Sequence, residues 1–346
     1  MIIPIFIRPY GNRKPVNAQL GSIFNKMINF ILDTNIYRTL VHGRSIEDLK
    51  LELKSNNELK KANGFKSIFP NIVAIELINH LLDSDGASID CFKGLFYLIH
   101  DTRQNSSASF KGQVVPTIHD LATYYLFQQK SEHFTLNNNI CHISHLIAHN
   151  GDNTNIKSYR SEIEQVMEFK RMELEGIIKN IEEHYLKPIN NKGLVDWEIF
   201  DKNLTMKKEF KQLIKNKSFH QIFGFSLIQM AVNETKQEIA VFKMIDLENG
   251  MFKDFKKSID FFVEHIWNKL IVTDKKEYLF NPETDPKKRW NSFYDLQLVF
   301  ANEYENALGR KTALVTEEKR IRALFEKFGD GDLIFNLNGY KSLLKN

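Results

Sequence analysis

The chain has 346 residues, of which 42% are apolar and 26% charged. That balance can bury a sizeable core and excludes a disordered chain. Its 47 basic and 43 acidic side chains leave a formal charge of +4, too mild to announce a nucleic-acid binder by itself. Two cysteines, Cys91 and Cys141, exclude a disulfide framework and a purely thiolate zinc site, and they suit a reducing, cytoplasmic setting. No apolar run approaches the roughly 20 residues that span a bilayer, so no membrane partner is expected. At roughly 150 residues per domain, the length corresponds to two domains or to one with a large insertion.

Taken in chain order, the opening Met1–Ile7 reads as an edge strand, with Pro4 tolerated at an edge. Ile31-Leu32 closes a buried strand that ends in Asp33-Thr34-Asn35 and gives way to a helix over 36–41. Ser45 sits at the N-cap position of a second helix over 46–61, in which Ile46, Leu49 and Leu53 share a face. Residues 68–73 suggest another strand, running into a helix from Ala74. This alternation is that of a parallel α/β sheet. It then stops: 86–100, 117–150, 157–186, 203–217, 219–245 and 251–272 all read as helices. The α/β pattern returns with a helix over 292–307, a strand at 312–315, a helix over 317–328 and a strand at 333–335. The ends (1–85 and 290–346) are therefore expected to form one domain, with 86–289 as a large all-helical insertion.

Acidic residues fall at the edges of the expected α/β elements: Asp33 after the first strand, Glu76 at the start of the helix after the second, Asp295 opening the helix after the insertion, and Glu317-Glu318 after the strand at 312–315. In an open parallel sheet, ligands bind outside the carboxyl ends of the strands. Carboxylates gathered there repel one another unless a hard cation sits among them. Each also has a plain structural reading. Asp33 suits an N-cap, Ser292 and Asp295 have the spacing of a capping box, and Glu317 and Glu318 suit a first helical turn.

As an ordered set these segments resemble the PIN-domain nucleases. Ile31-Leu32-Asp33-Thr34-Asn35 is similar to that family's opening strand, and Asn71 to Leu77 to its second acidic motif. Tyr294-Asp295 resembles the third, and Thr316-Glu317-Glu318-Lys319 the fourth, where the family usually has T-x-D and this chain has Glu318. The resemblance covers about 29–85 and 290–340. It implies a Rossmann-like, three-layer PIN fold and a metal-dependent nuclease, with RNA as the favoured substrate. It also implies that Asp33, Glu76, Asp295 and Glu318 (or Glu317) hold Mg²⁺ or Mn²⁺, while Asn35 and Thr316 orient them. Phosphodiester hydrolysis needs an activated water and charge neutralisation, which two such ions supply together.

Lys287, Lys288, Arg289 and Trp290 precede Asp295 and have the makings of a phosphate clamp with a stacking ring, or of a solvated turn. The run 202–217 carries six lysines against one glutamate, which suits a phosphate-tracking stripe or a solvated helix face. His142, His145 and His149 share a helical face, but a partly buried histidine helix explains them better than zinc does. No phosphate-binding loop, dinucleotide fingerprint or nucleophile elbow is present in the sequence. Two other functions stay open. One is a metal-free PIN-like module acting through its helical surface. The other is a structure-specific DNA nuclease, with single-stranded DNA also a candidate substrate. The insertion would gate access or bind a regulatory protein, as suits a restrained toxin or defence effector.

Overall fold

The computed structural model describes residues 28–83, 86–103, 113–131, 134–150, 155–181, 204–213, 217–236, 241–267 and 291–345. The expected edge strand at Met1–Ile7 and the Lys287–Trp290 segment lie outside them, as does the loop between 104 and 112.

A four-stranded, all-parallel sheet organises the α/β part. In chain order its strands are β1 (Ile28–Leu32), β2 (Phe65–Ser67), β5 (Thr312–Val315) and β6 (Ile334–Phe335), arranged spatially as β2-β1-β5-β6. A separate two-stranded parallel pair is formed by β3 (Phe69–Pro70) and β4 (Val114–Val115). β1 is central and almost wholly buried, which explains its unbroken apolar run rather than an alternating one. The Phe30 ring packs edge-on against Phe65 (5.4 Å) and Tyr340 (5.2 Å). The chain leaves β1 toward β2 on one side and returns beside β1 as β5 on the other. That reversal is the topological switch point at which open α/β sheets bind ligands.

Helix α1 (Thr34–Val41) starts two residues earlier than its apolar pattern suggests, because Asp33 is its N-cap and accepts from the Asn35 N–H (3.4 Å). α2 (Ile46–Asn63) opens with a reciprocal Ser45–Asp48 capping box. It closes on Gly64, whose φ of 69° costs a glycine little. The strand expected at 68–73 is corrected: Pro70 occupies the N-cap of α3 (Asn71–Asn79), so Asn71-Ile72-Val73 form a first helical turn. α3 is apolar nearly all round because neighbours enclose it, and periodicity cannot tell such a helix from a buried strand.

The expected all-helical insertion is corrected at one point, because β4 lies within it and pairs with β3; the other described elements from 86 to 267 are helical. α4 (Gly86–Thr102) packs on α1, α2 and α3, and also touches β2 and β3. Gly94 permits the closest approach, since a Cβ there would lie 3.0 Å from Leu77 Cδ2. The expected continuous helix over 117–150 breaks into α5 (Ile118–Phe127) and α6 (Phe134–Asn150), where Gln128 turns to φ 56°. α7 (Arg160–Ile181) lies on α3 and α6, and α8 (Leu204–Leu213) follows it. The segment expected as 219–245 is two helices, α9 (Lys217–Thr235) and α10 (Val241–Asp254). α11 (Lys256–Phe261) runs into a π-helical turn over Phe262–Trp267.

α12 (Asn291–Ala307) then packs on β5, α3, α5 and α11. α13 (Lys319–Lys327) and α14 (Leu337–Lys345) complete the chain. Buried apolar residues from the α/β ends and from the intervening helices form one continuous core. Ion pairs of Lys327 with Asp260 and Glu264, and of Lys257 with Asp330, further tie the two parts together. Among the described residues, no helix is long and apolar enough to cross a membrane.

Candidate active site

At the carboxyl end of the switch point, the last rungs of the β1–β5 and β5–β6 ladders aim two side chains at each other. The Asp33 N–H donates to the Val315 carbonyl (3.0 Å), and the Thr316 N–H to the Phe335 carbonyl (2.9 Å). With both backbones held, Thr316 Oγ1 donates to Asp33 Oδ2 (2.7 Å) and accepts from the Glu318 N–H (3.0 Å). One hydroxyl therefore orients Asp33 and sets the position of Glu318. Asn35 acts through its backbone N–H on Asp33, while its side chain is exposed.

Glu76 reaches the same place from α3. Its Oε2 accepts from Thr34 Oγ1, on the residue directly after Asp33. Burial pushes the Glu76 carboxyl up to about 8, and the nearby charges of Asp33 and Asp295 push the same way. The Thr34 hydrogen bond and the charge of Lys170 only partly oppose them. Asp33 is 5% exposed. Its carboxyl is also raised, first by burial and in small part by Glu318, against the hydrogen bonds from Thr316, Asn35 and Thr34. These mutual influences identify Asp33, Glu76, Asp295 and Glu318 as one electrostatic cluster drawn from four segments of the chain.

The Asp295 and Glu318 half carries its own cation. Arg320 donates from Nε to Glu318 Oε1 (2.7 Å), from Nη2 to Asp295 Oδ2 (3.2 Å), and from Nη1 to Ser292 Oγ (3.3 Å). Ser292 lies inside α12, so it serves this contact rather than the cap its spacing suggested. Glu317 is occupied elsewhere. It is exposed, and its Oε1 accepts from the Leu337 N–H (3.0 Å) at the start of α14.

Two side chains of the cluster lie outside the acidic motifs. Arg320 had a signal: a cation in the first turn of a helix opposes the helix dipole and calls for nearby anions. Lys170 had none, because only packing of α7 on α3 brings it to Glu76 and to within 5.6 Å of the Tyr294 ring centroid. The histidine face seen in the sequence is partly assembled. His145 and His149 rings lie 4.2 Å apart, and His100 of α4 joins them at 4.8 Å from His149, while His142 is exposed.

In chemistry the four carboxylates fit a hard dication, since they offer only oxygen donors, and two of them are raised first by burial and then by neighbouring carboxylates. In this side-chain arrangement, threonine hydroxyls and Arg320 engage those oxygens. Among the described residues, no three His, Cys, Asp or Glu side chains already surround a common ion position. Comparison with known proteins returns no match to a family model, a curated protein or a solved structure, so the PIN resemblance rests on the residues themselves.

Proposed function

We propose that the chain is a divalent-metal-dependent nuclease that hydrolyses phosphodiester bonds, with RNA as its substrate. The observation that carries this is the gathering of Asp33, Glu76, Asp295 and Glu318 at the switch point of a parallel sheet, with the Asp33 and Glu76 carboxyls both raised, chiefly by burial and further by neighbouring carboxylates. Structural carboxylates are normally matched by cations or donors, and an unrelieved excess at a ligand-binding position marks a functional site. RNA enters through the family resemblance.

In this reading the four carboxylates hold Mg²⁺ or Mn²⁺, which when bound activates water and neutralises the phosphoryl oxygens. The chain's own contributions are orientation and charge. Thr316 and Thr34 fix the carboxylates of Asp33 and Glu76, and Lys170 carries positive charge from α7 to the edge of the site. End-labelled single-stranded RNA, single-stranded DNA and a flapped duplex, each incubated with protein and Mn²⁺, test the proposal. The expected result is RNA cleavage by the wild type and none by Asp33→Asn. Equal cleavage by a clean Asp33→Asn preparation sinks the assignment, and preference for the flapped duplex makes the substrate DNA.

One observation favours a second reading. Arg320 already engages both Asp295 and Glu318 and offsets one of their two charges, as suits a metal-free module acting through its helical surface. Calorimetric titration with Mn²⁺ separates the two: heat of binding supports the nuclease, and its absence supports the module.

A further inference from the structure

We infer that Arg320 is an exchangeable internal cation: it holds Asp295 and Glu318 until a divalent ion takes those carboxylates, and its guanidinium then turns to a phosphate of the substrate. This rests on the nuclease reading above.

The geometry carries the inference. All three guanidinium nitrogens are directed at the site, to Glu318, Asp295 and Ser292. A lysine could give up its charge, but a guanidinium stays protonated at any working pH. Arg320 can therefore release the carboxylates only by moving. Its surroundings allow that: its side chain is 32% exposed, and so is that of Glu318. A partly solvent-facing ion pair of this kind is weak, so a dication that recruits the same oxygens outcompetes it. The released fork matches the oxygens of a phosphate in a bidentate way. Arg320 thus offsets part of the charge of Asp295 and Glu318 in the resting protein and marks that half of the cluster as the place where metal and substrate meet.

The test is calorimetric titration of Mn²⁺ into wild type, Arg320→Gln and Arg320→Lys, each checked for folding by circular dichroism. Expected is Mn²⁺ binding about tenfold tighter for Arg320→Gln than for wild type. Arg320→Lys, which keeps the charge but loses the fork, is expected at least about threefold tighter than wild type, and it decides the matter if the glutamine variant fails to fold. At saturating Mn²⁺, the KM for single-stranded RNA should rise about tenfold in Arg320→Gln. Mn²⁺ affinities equal within twofold overturn the exchange and leave the metal site standing. An unchanged KM overturns the phosphate contact. Absence of Mn²⁺ binding by every variant overturns both this inference and the nuclease reading.

Discussion

Two places in this molecule set carboxylates beside cations, and they are balanced in opposite ways. Lys60 of α2 and Asp101 of α4 form a closed pair, with side chains 5% and 1% exposed. Ser67 Oγ accepts from the Lys60 Nζ (2.7 Å), and the Tyr340 ring lies 6.0 Å from it. One charge meets one charge, out of water. At the switch point four carboxylates face Arg320 and Lys170, and burial, with neighbouring carboxylates adding to it, raises the carboxyl groups of Asp33 and Glu76. A matched pair sealed from water serves the fold. An unmatched set at the mouth of a sheet costs the fold stability, and in the proposed function a metal ion offsets that cost.

This contrast can be broken or sharpened by substitution. The largest expected effect is on catalysis: Asp33→Asn lowers RNA cleavage by about 1,000-fold or more, the scale of several kcal/mol of lost charge stabilisation. Its melting temperature should hold or rise, because a neutral isostere replaces a buried charge. At the matched pair the outcome inverts. Asp101→Ala leaves Lys60 buried without its counter-charge and should cost about 3–5 kcal/mol in denaturant unfolding.

Next comes a pH effect. Glu76 binds its proton more tightly folded (about 8) than unfolded (near 4.5). Wild-type stability is therefore greatest below the unfolded value and falls as pH rises from about 4.5 to about 8. Glu76→Gln removes this decline, so thermal melts at pH 8 should place the variant about 3 °C or more above wild type, with the gap closing at pH 5. A gap that widens at pH 5 would contradict the assigned direction. The smallest effect belongs to Glu317→Ala, which loses a hydrogen bond to the first turn of α14. It should cost about 0.5–1 kcal/mol and leave cleavage within twofold of wild type. A large loss of cleavage would show that Glu317, rather than Glu318, serves the site.

Much of the site was legible because local chemistry decides it. Ile31-Leu32-Asp33 had to end a buried strand in a helix cap, and Asp33 fills that structural role while facing the cluster. The β5 strand at 312–315 and the Ser45 cap were readable for the same reason. Local pattern failed where surroundings decide. Asn71-Ile72-Val73 are all buried because α4, α6, α7 and α12 enclose α3, and that enclosure erases the periodicity that separates helix from strand. Sequence spacing likewise could not separate Glu317 from Glu318, since the choice depends on α14 presenting an N–H to the former.

By itself the sequence determined that this is an α/β chain with a long helical stretch, and it placed Asp33 and Glu318 where strands give way to helices, whereas Glu76, expected at a helix start, lies in mid-helix. Those properties follow from apolar runs, caps and breakers within a few residues of each other. Tertiary structure alone decided which charges meet. Arg320 crosses to Asp295 on another helix, Lys170 arrives on α7, and Lys60 finds Asp101 across 41 positions of sequence. Electrostatic energy depends on distance and burial in space, and neither is carried by the order of residues along the chain.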